Sequence, residues 1–366
     1  MKSSLTGAVI GIVALITGLT VLDQFLARVE SSELHSTAER SYAAGTRLLK
    51  EGRASEAIDQ FRNAHVIERD NREYELSLIA ALTEVGKTSD AGILMDEVLN
   101  RDPNDGRTNL RAARLMVKEG KIADAEAYYH RAIYGQWPDN PAANQQAVRM
   151  ELIDLLSRRG KKQELFAELI SLEAEAGKDP EIQKRLAKLF LSVDSPARAA
   201  SIYQTMVARD PKDADAYEGL GEAELEQGEY PAAHTAFDQA FRRDPNNASI
   251  RSHLQTLNTV VEIDPTVRRL TSEEKYRRSR RILDMASMGL RQCISSHLIG
   301  GSDEVGKVLT AAEATTASKP PAHITNELAE GILNMAETVW RAQTRACAGT
   351  SSGDEALALV MKKLAS

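Results

Sequence analysis

The sequence predicts an all-α chain: an α-solenoid of stacked helical hairpins, with an N-terminal transmembrane helix before it and a small C-terminal helical domain after it. Three observations predict this. Residues Leu5–Leu22 carry no charge. Small and aromatic residues recur at a spacing of 34 between Gly52 and Pro245. Ala, Leu, Glu and Arg are abundant while aromatics are only 5% of the chain, a mix that favours helix over sheet. A length of 366 residues exceeds one compact core. The expected divisions are a tail at 1–4, a membrane anchor at 5–22, a helical linker at 23–37, the solenoid at 38–261 and the C-terminal domain at 266–366.

The anchor follows from length and apolarity. The run LTGAVIGIVALITGLTVL would make about 27 Å of helix at ~1.5 Å per residue, close to the hydrocarbon thickness of a bilayer. A cleaved leader needs small residues just after its apolar core. The chain instead continues Val21-Leu22-Asp23-Gln24-Phe25-Leu26, so an uncleaved span is expected. Lys2 before it and only Arg28 soon after it favour a short inner tail, with the bulk of the chain outside the cytoplasm. That predicts a single-pass membrane protein with its bulk on the extracytoplasmic side. Gly7, Gly11, Ala14 and Gly18 share one helix face, the pattern that lets two membrane helices approach closely; it leaves a homodimer through the span open.

The repeats carry most of the information. Gly52, Gly86 and Gly120 are 34 residues apart, as are Ala57, Ala91 and Ala125, and Phe61, Met95 and Tyr129. The spacing returns from Tyr203 to Phe237 and from Pro211 to Pro245. Each position has a physical reason. Gly221, Ala233 and Ala240 suit close approach of two antiparallel helices. Gly228 suits the tight turn between them because it accepts a positive φ. Asp244-Pro245 ends the second helix. One hairpin cannot bury its own apolar face, so hairpins must stack. The period stretches to 40 residues between Gly120 and Gly160, which predicts a longer helix or a kink there. The turn after 192 has Asp194-Ser195-Pro196 in place of glycine.

This pattern, over Ala38 to Val261, resembles the tetratricopeptide repeat family, whose unit has this length and these small and aromatic positions. The resemblance implies about six units at 38–71, 72–105, 106–139, 140–179, 180–213 and 214–247, and a degenerate start of another. It also implies that the first helix of each hairpin lines a groove for a protein partner. By unit alignment Arg107, Arg111, Arg114 and Lys118 line it in the third unit, Lys184, Arg185 and Lys188 in the fifth, and Glu218, Glu222 and Glu226 in the sixth. The groove is therefore expected to be basic in its middle and acidic further on, and to take a partner with acidic segments. Tyr42, Thr46, Leu76 and Ala80 stand where some family members place the Lys/Asn set that clamps a chaperone's terminal carboxylate. With one anchoring helix, the architecture resembles the membrane-anchored bacterial envelope type, whose members serve secretion or envelope assembly.

Beyond Asp264-Pro265 the repeat fades. Thr271-Ser272-Glu273-Glu274 is a capping box that opens a helix, and Tyr276, Leu283, Leu290 and Ile294 mark its apolar face. Further helices are expected over 302–317, along Leu328, Ile332, Met335 and Val339, and from 355 to Leu364. Cys293 and Cys347, the two cysteines, end two of these helices. In an extracytoplasmic domain they are expected to pair.

No catalytic or cofactor-binding pattern emerges, and no metal-ligating one. The run Gly301 to Val308 fits G-x-x-x-x-G-K, but Val308 replaces the hydroxyl that would hold Mg²⁺, so an inter-helix loop is expected. The two cysteines have no zinc spacing. A net charge of -7 argues against general nucleic-acid binding. The basic run Arg268 to Arg281 is read as a solvated face, with Glu273–Arg277 and Glu274–Arg278 pairs at helical spacing; a site for lipid heads or an acidic partner is the alternative. The expected function is a scaffold, not an enzyme. A self-associating envelope protein is the alternative, and an enzyme carried by the C-terminal helices a remote one.

Overall fold

The structure, a computed structural model, describes residues 2–175, 177, 179–297, 303–346 and 355–365, with backbone alone over 2–16 and at 18, 296, 297 and 303. The described residues are helical throughout, in the order α1 (Lys2–Lys50), α2 (Ala54–Ile67), α3 (Arg72–Glu84), α4 (Thr88–Arg101), α5 (Gly106–Lys118), α6 (Ile122–Ile133), α7 (Pro141–Arg159), α8 (Lys162–Glu175), α9 (Pro180–Ser192), α10 (Pro196–Arg209), α11 (Ala214–Glu226), α12 (Tyr230–Arg243), α13 (Ala248–Ile263), α14 (Ser272–His297), α15 (Asp303–Ala317), α16 (Asn326–Ala346) and α17 (Glu355–Ala365). The chain divides into two compact units, Met1–Glu168 and Leu169–Ser366.

In the first unit each helix packs on the next from α1 to α7, and α3 also touches α1 and α5. First helices of successive hairpins therefore lie side by side. The turn glycines Gly52, Gly86, Gly120 and Gly160 have φ between +67° and +80°, where a side chain would be strained. The core is built from the repeating positions: Ala57, Phe61, Ala91, Met95 and Val98 are nearly inaccessible to solvent, with Ile79, Leu82 and Leu115 between them. Each such large side chain contributes about 1.5–3 kcal/mol by leaving water. Between Gly120 and Gly160, α7 has 19 residues where α5 has 13, and the connector before it is longer too, partly offset by a shorter α6. The stretch is a longer helix, started by Pro141 after the left-handed Asn140 (φ 44°). The turn before it packs back on the preceding hairpin. Gly106 N donates to Gln136 O (2.8 Å), Gln136 N to Asn104 O (2.8 Å), and Trp137 Nε1 to Ala132 O (2.9 Å).

α1 is a single helix of 49 residues, so linker and first repeat helix are continuous. The expected contact of Gly7, Gly11, Ala14 and Gly18 lies outside the described side chains. No helix is long and apolar enough, over the described residues, to cross a membrane. Further along α1, Leu19, Val21, Leu22, Phe25 and Leu26 are all exposed.

In the second unit α9 to α13 continue the hairpin pattern. Asp194 (φ 56°) takes the left-handed conformation that glycine takes in the other turns, as short polar side chains can. N-caps are explicit: Asp179 accepts from the amides of Glu181 and Ile182, Asp213 from that of Ala216 and Asn247 from those of Ser249 and Ile250. A second core joins Tyr230, Phe237, Ile250 and Leu257 to Leu283, Leu290, Ile332, Val339 and Val360. The C-terminal helices thus close over the last hairpin's apolar face. Thr271 caps α14, its hydroxyl accepting from Glu274 N at 3.2 Å. The expected Glu273–Arg277 pair is replaced by Glu274 holding both Arg277 (2.7 Å) and Arg278 (2.7 Å). Those guanidiniums, Arg277 first, bring the Glu274 pKa down to about 2. Gly306 and Lys307 lie inside α15, as the helix expected over 302–317 requires and not in an inter-helix loop; Gly301 and Ser302 lie outside the described residues. Cys293 is buried and is not a free thiol. Cys347 lies outside the described residues.

Candidate functional site

In the first unit the outward residues of α3, α5 and α7 form a lattice of charge. Arg107, the second residue of α5, reaches back to Glu73 on α3 (3.2 Å). Glu73 also takes the Tyr42 hydroxyl at 3.4 Å, and the Tyr42 ring lies 4.9 Å from that of Tyr74. Arg114 reaches forward to Glu151 on α7 in a bidentate pair, 2.9 Å from Nε and 2.7 Å from Nη2. The same carboxylate accepts from the Tyr129 hydroxyl at 2.7 Å. Burial works against the ionised Glu151, but hydrogen bonds from Arg114 and Tyr129 outweigh it and lower its pKa. Burial pushes the Tyr129 phenol up, which keeps it a donor. Lys118 points at the Glu84 carbonyl (3.5 Å).

Arg111 stands between these two clusters. It is half-buried, and the carboxylates within electrostatic reach are Glu73 and Glu151. Each is already held by an arginine and a tyrosine. Arg107 also meets Asp105 at 3.7 Å, and of the three guanidiniums only Arg111 makes no ion pair among the described residues. Burial first, and then the Arg114 charge, move its pKa below the usual value. A partly desolvated guanidinium that no carboxylate pairs directly suits an anionic group.

The second unit has the complementary arrangement. α5 and α11 are both 13 residues long, starting at 106 and 214. Arg107, Arg114 and Lys118 therefore correspond to Asp215, Glu222 and Glu226, base to acid at every position. Arg111 corresponds to Gly219, where a Cβ would overlap the buried Tyr203 ring. Lys184 on α9 pairs with Asp215. Glu218 accepts from Asn247 Nδ2 at 3.1 Å, and Glu226 faces Lys362 at 3.8 Å. Glu222 is half-buried; burial, and then Glu218, raise its pKa. Lys188 is exposed and within electrostatic reach of Glu222, and Arg185 is exposed as well.

The predicted residues thus do lie on the first helices, within two separate units. The structure adds Glu73, Glu151, Tyr129 and Asn247, which the sequence reading did not select. Glu73 could have been found, since it precedes Arg107 by one repeat length. Among the described residues no cluster of His, Cys, Asp and Glu is arranged to hold a metal ion.

A family model described as tetratricopeptide repeat matches residues 184–249. Superkiller complex protein 3 from Homo sapiens is 28% identical over 167 residues, which is 42% of this chain and 10% of that protein. Among solved structures, the C-terminal part of a TPR repeat-containing protein from Cytophaga hutchinsonii aligns over 87% of this chain and 98% of its own, at 10% identity and a TM-score of 0.41. The TPR2AB-domain:pHSP90-complex of yeast Sti1 aligns over 77% of this chain and 99% of its own, at 17% identity and a TM-score of 0.33.

Proposed function

We propose that this chain is a tetratricopeptide-repeat protein and a membrane-anchored scaffold whose first-helix faces hold a protein partner. The observation that carries this is Arg111: a half-buried guanidinium whose neighbouring carboxylates are both engaged elsewhere. A surface that only had to fold would gain by neutralising that charge or replacing it. The partner of the first unit is a segment bearing Asp or Glu.

The test is fluorescence anisotropy with a labelled glutamate-rich peptide and the purified chain. Arg111→Glu should weaken binding by about tenfold or more, the worth of a hydrogen bond to a charged group, and added salt should weaken the wild-type complex. Equal affinity of wild type and variant would rule out this face.

Anchoring rests on the uncharged run 5–22 and on the exposed apolar residues that extend it to Leu26. On this reading the protein sits in the inner membrane, with its bulk on the periplasmic side, and serves envelope or secretion-complex assembly. Carbonate-washed membranes should retain the full-length chain; recovery in the soluble fraction would overturn the anchor. In that compartment Cys293 pairs with Cys347, a loop worth about 4 kcal/mol of chain entropy. Thiol blocking on acid-quenched cells should find no free thiol before reduction.

A further inference from the structure

A second charged site lies where the C-terminal helices α14 and α15 meet α13. A cleft of about 940 Å³ is lined by Thr259, Glu262 and Ile263 of α13, by Arg277, Arg278, Arg280, Arg281 and Asp284 of α14, and by Thr316 of α15. Its volume is that of a small-molecule site. What sets it apart is how its arginines are held.

Arg278 is largely buried. It gives one nitrogen to Glu274 (2.7 Å) and another to two backbone carbonyls, Val261 O at 2.9 Å and Asp264 O at 2.8 Å. Arg280 is fixed by the Thr316 carbonyl on the opposite helix and lies over the Tyr276 ring at 5.8 Å. A carbonyl orients a guanidinium without neutralising it. Arg281, one residue on, is exposed and makes no hydrogen bond or ion pair among the described residues. The nearby carboxylates are Glu274, which Arg277 and Arg278 share, and Glu262 and Asp284 in the wall. Four guanidiniums against these three acids leave the cleft positive, with the uncommitted charge at Arg280 and Arg281.

We propose that this cleft binds a multiply charged phosphate group, with Arg280 and Arg281 as its principal contacts. Guanidiniums suit such a ligand because their planar forks bind two oxygens at once. A dianion also gains more than a monoanion from two adjacent forks, which favours phosphomonoesters and diphosphates over carboxylates. Free phosphate compounds and phosphate headgroups at a membrane surface share this chemistry.

The experiment has two arms, both on the full chain. In the first, isothermal titration with inorganic pyrophosphate is run on wild type, Arg281→Ala and Arg281→Glu, with Arg242→Ala as a control for loss of an exposed arginine elsewhere. In the second, the same proteins are sedimented with phosphatidylcholine vesicles, with and without phosphatidic acid. Because Arg281 is exposed, its variants should keep the wild-type circular dichroism. Saturable pyrophosphate binding, weakened about tenfold by Arg281→Ala, more by Arg281→Glu and not by Arg242→Ala, supports the site with a free ligand. Sedimentation that needs phosphatidic acid and Arg281 supports it with a headgroup. No binding in either arm, or binding equal in all four proteins, overturns it.

Discussion

Replacing Arg149 by Met tests how this repeat array tolerates charge in its interior. Arg149 is 2% exposed and ranks among the largest fully buried side chains, and Glu168 is 7% exposed. Nη1 and Oε2 are 2.6 Å apart, the Tyr134 ring lies 5.9 Å from the guanidinium carbon, and His130 Nδ1 is 3.7 Å from the other Glu168 oxygen. Methionine fills most of the arginine's volume but leaves the Glu168 carboxylate buried without its main counter-charge. Breaking one side of a buried pair costs about 3–5 kcal/mol, whereas replacing both sides with apolar residues is close to neutral. Arg149→Met should therefore destabilise α7 by that amount, and adding Glu168→Leu should recover most of it. Urea unfolding gives the total. Native-state hydrogen exchange of the amides in Pro141–Arg159 gives the local value, needed because a repeat array opens in parts. A loss below about 1 kcal/mol for the single variant, or a double variant no more stable than the single, would refute the reasoning.

Two further predictions follow from the second unit. Gly219→Ala places a methyl into the fully buried Tyr203 ring and should cost about 1–3 kcal/mol, while Gly92→Ala, in a helix with open space beside it, should gain about 0.5–1 kcal/mol; equal melting shifts for the two would show that the ring contact does not matter. Glu222 has a raised pKa in the folded state, so its stabilising protonated form is present below the ordinary carboxylate range and lost as pH rises through the raised value. Glu222→Gln should then gain melting temperature over wild type at pH 7.5, by roughly 1–2 °C, and not at pH 4; a pH-independent difference would exclude this account.

The repeat was legible because it is written in residues that must be small, turned or apolar wherever they occur. Gly228 has φ 74°, and a Cβ on Gly221 would sit 2.7 Å from Phe237, so both positions are constrained by the hairpin itself. The charge pairing was less legible. Arg107 and Glu73 are separated by one repeat length, and a register argument reaches them. Arg114 and Glu151 are 37 residues apart, because the added residues of α7 shift the partner off the 34-residue register. Arg114 therefore reads from sequence as a free groove base, while in the structure it is the arm of a bidentate bridge between hairpins. Arg149 was hidden for a different reason. An arginine in an amphipathic helix is expected on the wet face, and nothing local to α7 shows that Glu168 on the following helix will meet it.

The same contrast explains where specificity can reside in such a chain. Positions that face the core repeat their residue type: Ala57, Ala91, Ala125, Ala199 and Ala233 are all fully buried, and none of them can say what the protein binds. Positions on the outer side of the first helices are free of that demand, and there α5 and α11 take opposite signs at Arg107 and Asp215, Arg114 and Glu222, and Lys118 and Glu226. The position of Arg111 and Gly219 makes the point most sharply. In α11 the glycine is taken up by packing, since it makes room for Tyr203. In α5 the same register is occupied by Arg111, which makes no ion pair among the described residues. One backbone geometry thus serves packing in one unit and carries a guanidinium without an ion pair in the other, and the proposed partner would meet the second.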